Sequence, residues 1–290
     1  MSIGRNLILR VRLGLFNYAF VAALAFTPAL RAQVAAPPAA AKNQSGDHVD
    51  LSGVWGNLGG SVPISGGEQP AGPYMLSPKG TMKDAGTPAD GIPYQPWAIS
   101  KLMSERPPSG PRATFDKTTD PNILYCELYG VPRIYNSPSK FKFVQTPEAV
   151  YILYEYGVVW RVVWLNRTHS ADPDPTYMGE SIGSYEGKDT FVVDSIGFND
   201  KTWLDSIGRP HSEKLHVIER FRRVNQDKLE MTITIDDPGA YTAPWSYPTR
   251  SVASAKDFAR AVWPCSVREN NAFNESVEEP TTIPTKPTKQ

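Results

Sequence analysis

The sequence predicts an all-β protein, an antiparallel barrel that is closed or nearly closed and carries long loops. Apolar and polar residues alternate over short segments between turn sequences, which is typical of half-buried strands. Proline and glycine, at 27 and 22 residues, interrupt helical periods after about two turns. Strand segments do not alternate with helical segments, so a parallel α/β sheet is not indicated.

Strand segments follow one another along most of the chain. Seven of them have the alternation and the β-branched and aromatic content of strands: 51–55, 141–146, 149–156, 159–165, 189–196, 215–224 and 228–236. The last two form the clearest hairpin, turning at 225–227. The best helix candidate is short, 96–105, and ends before two prolines. Including the first and last segments, we expect about eight to ten strands, which suits a sandwich or a barrel.

The first strand favours the barrel over the sandwich. It contains Gly53-x-Trp55 and precedes a meander, an arrangement that resembles lipocalin-like barrels. Closing the sheet also removes its exposed edges. We therefore expect a lipocalin-like barrel with a cavity.

The N-terminus has the features of an export signal. Arg5, Arg10 and Arg12 precede an apolar stretch over 13–30. Small residues offer cleavage after Ala32, with Ala29 as the alternative position. A stop-transfer flank is missing, so we expect no membrane insertion after signal removal and a periplasmic or secreted location. The expected organisation is a signal peptide over 1–32, a flexible linker over 33–48, a single β-rich domain over 49–276 and a disordered tail over 277–290.

Two cysteines, Cys126 and Cys265, remain after export. In an oxidising compartment a disulfide between them is the simplest outcome, and the chain-entropy model gives it about 4–5 kcal/mol of stabilisation. Two unrelated buried thiols are the alternative. Neither cysteine has the spacing of a zinc site.

The charge balance limits the class of partner. Lys+Arg and Asp+Glu both number 30, so no net charge attracts nucleic acid or an anionic membrane surface. We expect no nucleic-acid partner, and a small organic ligand instead. The sequence assigns no cofactor.

A distinctive segment spans 187–203, reads GKDTFVVDSIGFNDKTW and continues into Asp205, Gly208 and Pro210-His-Ser212. Together with the segments 50–55, 110–112, 120–126, 130–133, 219–221, 237–241 and 265–271, it resembles a widespread family of uncharacterised secreted bacterial proteins that is abundant in soil bacteria. The resemblance implies an exported β-rich protein and brings no activity with it. Lys188 is an extra residue where the family has Gly-Asp-Thr, which lengthens one turn.

Glu219 is the leading catalytic candidate. Strand alternation places it with Val217 and Phe221 on the apolar face, and His216 on the opposite face. An unpaired carboxylate there would cost several kcal/mol or take up a proton. Glu219 is therefore either an acid or base with a raised pKa, or half of a salt bridge to an inward arginine.

Glu155 and Arg161 lie on either side of a predicted turn near residue 158. Symmetry about that turn places them opposite each other as a cross-strand ion pair. If both side chains point inward, Arg161 would bind an anionic group of a substrate. A purely structural pair is the alternative.

Asp205 and His211 share a loop that contains Gly208. A histidine beside a carboxylate suits general acid–base catalysis, because its pKa lies near neutrality. In the alternative, Asp205 accepts backbone hydrogen bonds and His211 is merely exposed. A metal centre of His169, His211 and an acidic residue is a further alternative, but no metal is assigned.

The substrate-binding prediction adds one carboxylate and two indoles. Asp194 lies within the meander, and Trp203 and Trp245 are expected in loops near the mouth of the barrel. Together with Arg161 and Glu155 they form the predicted binding set. Core packing is the usual role of tryptophan and remains the alternative.

The function that follows is an exported enzyme using acid–base chemistry, by hydrolysis, elimination or isomerisation, in a polar-lined barrel cavity. Glu219 or His211 would be the acid or base, and Asp205 would orient it. The alternative is a non-catalytic lipocalin-like binding protein for a small aromatic or apolar ligand. An envelope interaction module is a third hypothesis.

Overall fold

The computed structural model describes residues 48–56, 87–105, 120–136, 140–155, 157, 159–258 and 265–278. All of them belong to one compact unit, Asn43–Gln290. The predicted signal peptide and all but the last residue of the predicted linker lie outside the described residues, as does 279–290. Within this part of the chain, no helix is long and apolar enough to cross a membrane.

Ten strands form in the described residues, and they are mostly segments with alternating apolar side chains. They are β1 (Gly53–Gly56), β2 (Phe141–Gln145), β3 (Ala149–Tyr154), β4 (Trp160–Leu165), β5 (Glu180–Glu186), β6 (Thr190–Ile196), β7 (His216–Asn225), β8 (Lys228–Asp236), β9 (Trp245–Ser246) and β10 (Arg250–Ala255). All seven segments predicted as strands form strands, with ends that differ by one or two residues. Strands β5, β9 and β10 complete the sheet.

The sheet closes because β10 pairs with both β1 and β8. Nine strands form the barrel in the order β1 to β8 and then β10, and β9 is attached to β8 alone. The predicted barrel, closed or nearly closed, is confirmed, and its strand pairs are antiparallel with one exception. One pair, β4 with β5, is parallel and was not anticipated. The loop over 166–179 returns the chain to the end of the barrel where β4 began.

The interior of the barrel is filled by side chains. Val217, Glu219 and Phe221 point inward from β7, as the alternation predicted, and meet the inward face of β8. Phe143 and Phe221 have ring centroids 5.1 Å apart in edge-to-face contact. Tyr135 packs in the same way at 5.3 Å from Phe141. Aromatic rings and one buried ion pair therefore occupy the space where a ligand cavity was expected.

Three α-helices and one 3₁₀ helix (Arg133–Asn136) accompany the barrel in the described residues. The predicted α1 (Pro96–Glu105) forms, beginning at a proline whose fixed φ suits a first helical turn. The short α2 (Pro121–Leu124) follows Asp120, whose carboxylate accepts the N–H of Asn122. The polar, asparagine-containing α3 (Val267–Glu278) was not predicted. It includes the first two residues of the expected disordered tail.

A disulfide links Cys126 to Cys265, with an S–S distance of 2.09 Å and a Cα–Cα distance of 5.7 Å. It joins the segment after α2 to the start of α3, and the two cysteines lie 139 residues apart in sequence. The predicted pairing is therefore confirmed. The alternative of two unrelated thiols is wrong.

Candidate functional site

Glu219 is sealed inside the barrel with Arg161. The Arg161 side chain is 2% exposed and that of Glu219 is 0% exposed. Arg161 Nη2 donates to Glu219 Oε1 at 2.8 Å, and Nη1 lies 2.7 Å from Oε2 in an ion pair outside hydrogen-bond geometry. Burial by itself lowers the pKa of Arg161, but the charge and hydrogen bond of Glu219, together with Tyr135 and Tyr154, raise that pKa well above its usual value. The salt-bridge alternative is the one observed.

Two tyrosines extend this buried pair. Arg161 Nη2 also donates to Tyr135 Oη at 3.1 Å, and the hydroxyls of Tyr135 and Tyr154 are 2.9 Å apart. Burial raises the pKa of Tyr154 to about 12, so it stays neutral. Neither Arg161 nor Glu219 lines any of the three pockets described below. In the described part of the chain both side chains are buried and bonded to each other, so their positions do not support the catalytic and substrate-binding roles predicted for them.

The predicted Glu155–Arg161 pair does not form. The register of β3 and β4 places Arg161 opposite Ile152, three positions before Glu155. Glu155 instead accepts the Lys140 N–H at 3.0 Å and lies 3.6 Å from Lys140 Nζ. The prediction was wrong because it placed the centre of the turn too late in the chain. Glu155 is an anchor for the start of β2.

Asp205 does not orient His211. Its Oδ2 accepts bonds from Arg209 Nη1 and from Tyr247 Oη, the latter at 3.0 Å. Arg209 also donates from Nη2 to Asp90 at 3.0 Å, so the guanidinium holds two buried carboxylates. This network ties the loop to the segment before α1. The structural role of the alternative is observed for Asp205, whose Oδ1 also accepts the Ile207 N–H at 3.0 Å. The same alternative is wrong for His211, which is buried and not exposed.

The two predicted ligand-stacking tryptophans have different positions. Trp245 lies in β9 and not in a loop, with ring centroids 5.4 Å from Tyr241 and 4.6 Å from Tyr247. It is a core residue. Trp203 lies in the loop between β6 and β7, and its ring centroid is 5.4 Å from Arg133 Cζ. It lines a surface pocket.

That pocket is half of what we call the His211 groove. Two adjoining pockets of about 590 and 350 Å³ share Lys101, Asp200 and His211. The walls come from α1, from the segment after α2 and from the loop between β6 and β7; they include Trp97, Glu105, Tyr125, Glu127, Thr202, Trp203 and Ser212. Among the predicted catalytic residues, only His211 borders a pocket described here.

His211 is held at both ring nitrogens. Nδ1 lies 3.2 Å from the Ser212 carbonyl oxygen, which can only accept, so Nδ1 bears the proton. Nε2 lies 2.9 Å from Thr202 Oγ1 and accepts the hydroxyl proton in the neutral ring. Burial lowers the pKa of His211, and the contact with the Ser212 carbonyl only partly offsets this. His211 is thus a neutral base at neutral pH.

The segment around His211 is anchored by Asp237. This carboxylate accepts the Ser212 N–H at 2.7 Å and the Ser212 hydroxyl at 2.5 Å. Gly239 lies against the same serine, where an added Cβ would come within 2.3 Å of Ser212 Oγ. Tyr241 donates its hydroxyl to the Pro210 carbonyl at 2.7 Å. The backbone carbonyl that orients His211 is therefore fixed by residues beyond β8.

A second polar group, which we call the Asp194 cluster, lies on the outer face of β5, β6 and β7. Asp194 Oδ1 accepts from His169 Nε2 at 3.0 Å and from His216 Nε2 at 2.8 Å. His169 Nδ1 lies 3.1 Å from Glu180. The hydrogen bond to Asp194 raises the pKa of His216, and the same bond lowers the pKa of Asp194.

Asp194 also borders the Asp194 pocket, a concave region of about 710 Å³. Its lining includes Leu165, Arg167, Ile182, Ser184, Tyr185, Val192 and Asp194. The pocket lies where β4 ends beside the longer strand β5. Of the predicted substrate-binding residues, Asp194 and Trp203 border pockets, but different ones.

The proposed metal centre of His169 and His211 does not form. His169 bonds to Glu180 and Asp194, whereas His211 bonds to Thr202 and to the Ser212 carbonyl. Within the residues that the structure describes, no group of three or more His, Cys, Asp or Glu side chains has an arrangement that could hold a metal ion.

The chain matches no protein-family model and no curated protein. Sequence reasoning missed Thr202, the partner of His211, although the two residues share one loop. It also missed Asp237, which sits 26 positions after His211 in the sequence. Strand alternation places His216 on the outward face of β7, and this was the sequence feature from which the Asp194 cluster could have been predicted.

Proposed function

We propose that the protein is an enzyme that applies acid–base chemistry to a small organic substrate bound in the His211 groove, with His211 as the base. The chain of contacts from Thr202 Oγ1 through the His211 ring to the Ser212 carbonyl supports this most strongly. A base hydrogen-bonded to a hydroxyl and oriented by a third group is the arrangement that activates hydroxyl groups in enzymes. The reaction class is hydrolysis, elimination or isomerisation.

The geometry supports a proton relay. Thr202 donates its hydroxyl proton to His211 Nε2 while it accepts a proton from the substrate, so the hydroxyl is restored and the ring becomes an imidazolium. Nδ1–H keeps its bond to the Ser212 carbonyl throughout. The negative charges of Asp237 and Asp200 favour the imidazolium, and the charge of Lys101 opposes it. The groove thus contains both a free base and the charges that stabilise its protonated form.

The walls of the groove fit a substrate with an aromatic or apolar body. Trp97 is 43% exposed and Tyr125 is 65% exposed, so both present ring faces to a ligand. Lys101 and Lys201 supply positive charge beside them. Both pockets lie within the size range of small-molecule sites, about 300–1,000 Å³.

We place this activity in the periplasm or outside the cell. The expected signal peptide supports that location, and so does the Cys126–Cys265 disulfide, because disulfides persist in oxidising compartments.

The test combines a ligand screen with one matched pair of variants. Purified protein is screened by thermal shift against phenolics, lipids and oligosaccharides, and each hit is followed by product analysis. For a screened compound that the wild type converts to product, we expect His211→Gln to lower kcat by about 10²–10⁴-fold. His169→Gln, which removes a histidine outside the groove, should retain turnover. Equal turnover in wild type and His211→Gln would contradict the proposal.

A binding protein without catalysis is the second candidate. It is favoured by the low exposure of His211, which is 4%, because little of the ring faces the groove. In that case a hit stabilises wild type and His211→Gln alike, and no product forms from any hit. Substitution of Trp97 by Ala would then weaken binding, because its exposed ring is part of the wall.

A further inference from the structure

We propose that the Asp194 pocket is a second binding site, for a small organic carboxylate with an apolar body and a hydrogen-bond donor at its other end. Arg167 would bind the carboxylate, and Asp194 would accept the donor. This site is separate from the His211 groove and does not depend on the activity proposed for it. Three features of the pocket support the assignment.

The first feature is a guanidinium that is held in place without an acidic partner. Arg167 lines the pocket and lies with its Cζ 3.7 Å from the ring centroid of Trp164. Stacking on an indole fixes the plane of the guanidinium and leaves its edge N–H groups directed outward. Among the described residues no carboxylate pairs with Arg167. Such an edge is the preferred partner of a carboxylate, which it binds through two parallel hydrogen bonds.

The second feature is a carboxylate with one oxygen available. Asp194 uses Oδ1 for both histidine contacts, and within the described part of the chain Oδ2 makes no hydrogen bond. His169 and His216 hold the side chain in one orientation. Oδ2 is therefore a positioned acceptor for a hydroxyl or ammonium group of a ligand.

The third feature is the space between these two groups. Arg167 and Asp194 have opposite charges and line the same pocket, yet they form no ion pair with each other. Leu165, Ile182 and Val192 provide apolar surface in the same pocket. Its volume, about 710 Å³, suits a small organic molecule. A ligand with an anionic end, an apolar body and a donor end is complementary to all three parts.

The probes are chosen to remove one feature of the ligand at a time. 3-Hydroxybenzoate and 4-hydroxybenzoate offer two spans between carboxylate and donor, 4-hydroxybenzamide lacks the charge, and benzoate lacks the donor. Binding to the purified protein is measured by isothermal titration calorimetry. We expect one hydroxybenzoate to bind saturably, the benzamide to bind at least about tenfold more weakly, and benzoate to bind about threefold to tenfold more weakly.

Variants then assign the two ends of the ligand. Arg167→Gln should weaken hydroxybenzoate binding about tenfold or more and leave the weak binding of 4-hydroxybenzamide unchanged. Asp194→Asn should weaken the binding of the hydroxybenzoate and leave the binding of benzoate unchanged. Arg222→Gln removes an exposed arginine on the outer face of β7 and serves as the matched control. His211→Gln should leave every affinity unchanged, which separates this site from the His211 groove.

Two results would overturn the proposal. One is the lack of saturable binding by either hydroxybenzoate at millimolar concentration. The other is binding that Arg167→Gln and Arg222→Gln weaken equally, since that would reflect net charge and not a site.

Discussion

The His211 groove and the Asp194 cluster both place histidine beside hydrogen-bonding groups, yet they shift its pKa in opposite directions. His211 is buried and bonds to a hydroxyl and a backbone carbonyl, and burial lowers its pKa. His216 is half-buried and bonds to a carboxylate, and that bond raises its pKa. Burial disfavours a charged ring, whereas an acidic partner favours it. The same side chain therefore favours its neutral form in one site and its protonated form in the other.

The two sites also differ in what supports them. The segment that contains His211 is anchored by the buried Asp237, which follows β8. The side chains of the Asp194 cluster bond to one another on the outer face of three strands. Changes to the support of His211 should consequently cost stability, and changes to the Asp194 cluster should cost little. The predictions below test this difference, beginning with the largest expected effect.

Asp237→Ala should lower the free energy of unfolding by about 3–5 kcal/mol. The side chain is buried, and its loss leaves the Ser212 N–H and the Gly239 N–H without their acceptor. Urea denaturation measures the change. Asp194→Ala is the matched variant in the exposed cluster and should change stability far less. Similar losses in both variants would remove the distinction between a buried anchor and a surface cluster.

Gly239→Ala should cost about 1–3 kcal/mol, because the new Cβ would come within 2.3 Å of Ser212 Oγ and displace it. The displacement moves the carbonyl that orients His211, so turnover of any substrate in the groove should fall as well. Gly187→Ala is the control position for stability, since a Cβ there meets nothing within 4 Å, although its φ of +65° adds strain. If Gly239→Ala is as stable as wild type, the close approach is relieved without cost.

Thr202→Val should cost about 1 kcal/mol, because His211 Nε2 loses its donor in a buried position. The shape of the side chain is retained, so its packing beside Gly130, where an added Cβ would lie 3.4 Å from Thr202 Cγ2, should survive. In the proposed relay the hydroxyl carries the proton, and turnover should fall more than stability does. Turnover equal to wild type would show that the hydroxyl only orients the ring.

The smallest effects concern pH. His211 should titrate below the ordinary value of 6.5 and His216 above it. Proton NMR of the ring Cε1–H signals measures both, and single His→Gln variants assign the four histidines.

The pH dependence of stability follows from the same shifts. For His211 the unfolded chain takes up a proton more readily than the folded chain, so stability is complete above 6.5 and declines as the pH falls below it. For His216 the contribution is complete below 6.5 and is lost as the pH rises through its raised pKa. Asp194, with a lowered pKa, contributes above its ordinary value and loses that contribution as the pH falls. Identical profiles for His211→Gln and His216→Gln would contradict the comparison.

Much of the barrel was predictable because strand alternation is local. A period of two residues assigned Glu219 to the inside of β7 and His216 to the outside without knowledge of the fold. The hairpin of β7 and β8 followed from its turn, and the disulfide followed from two cysteines in a chain expected to be exported. In each case the information lies within a few residues or in a count.

Only the tertiary structure decided which side chains meet. Arg161 and Glu219 are 58 residues apart and pair because β4 and β7 face each other across the barrel. Glu155 does not pair with Arg161, because the register of β3 and β4 is not symmetric about residue 158. His211 bonds to Thr202 and not to Asp205, because Arg209 and Tyr247 donate to the carboxylate of Asp205. Parity determines the face on which a residue lies, but register and loop packing determine its partner.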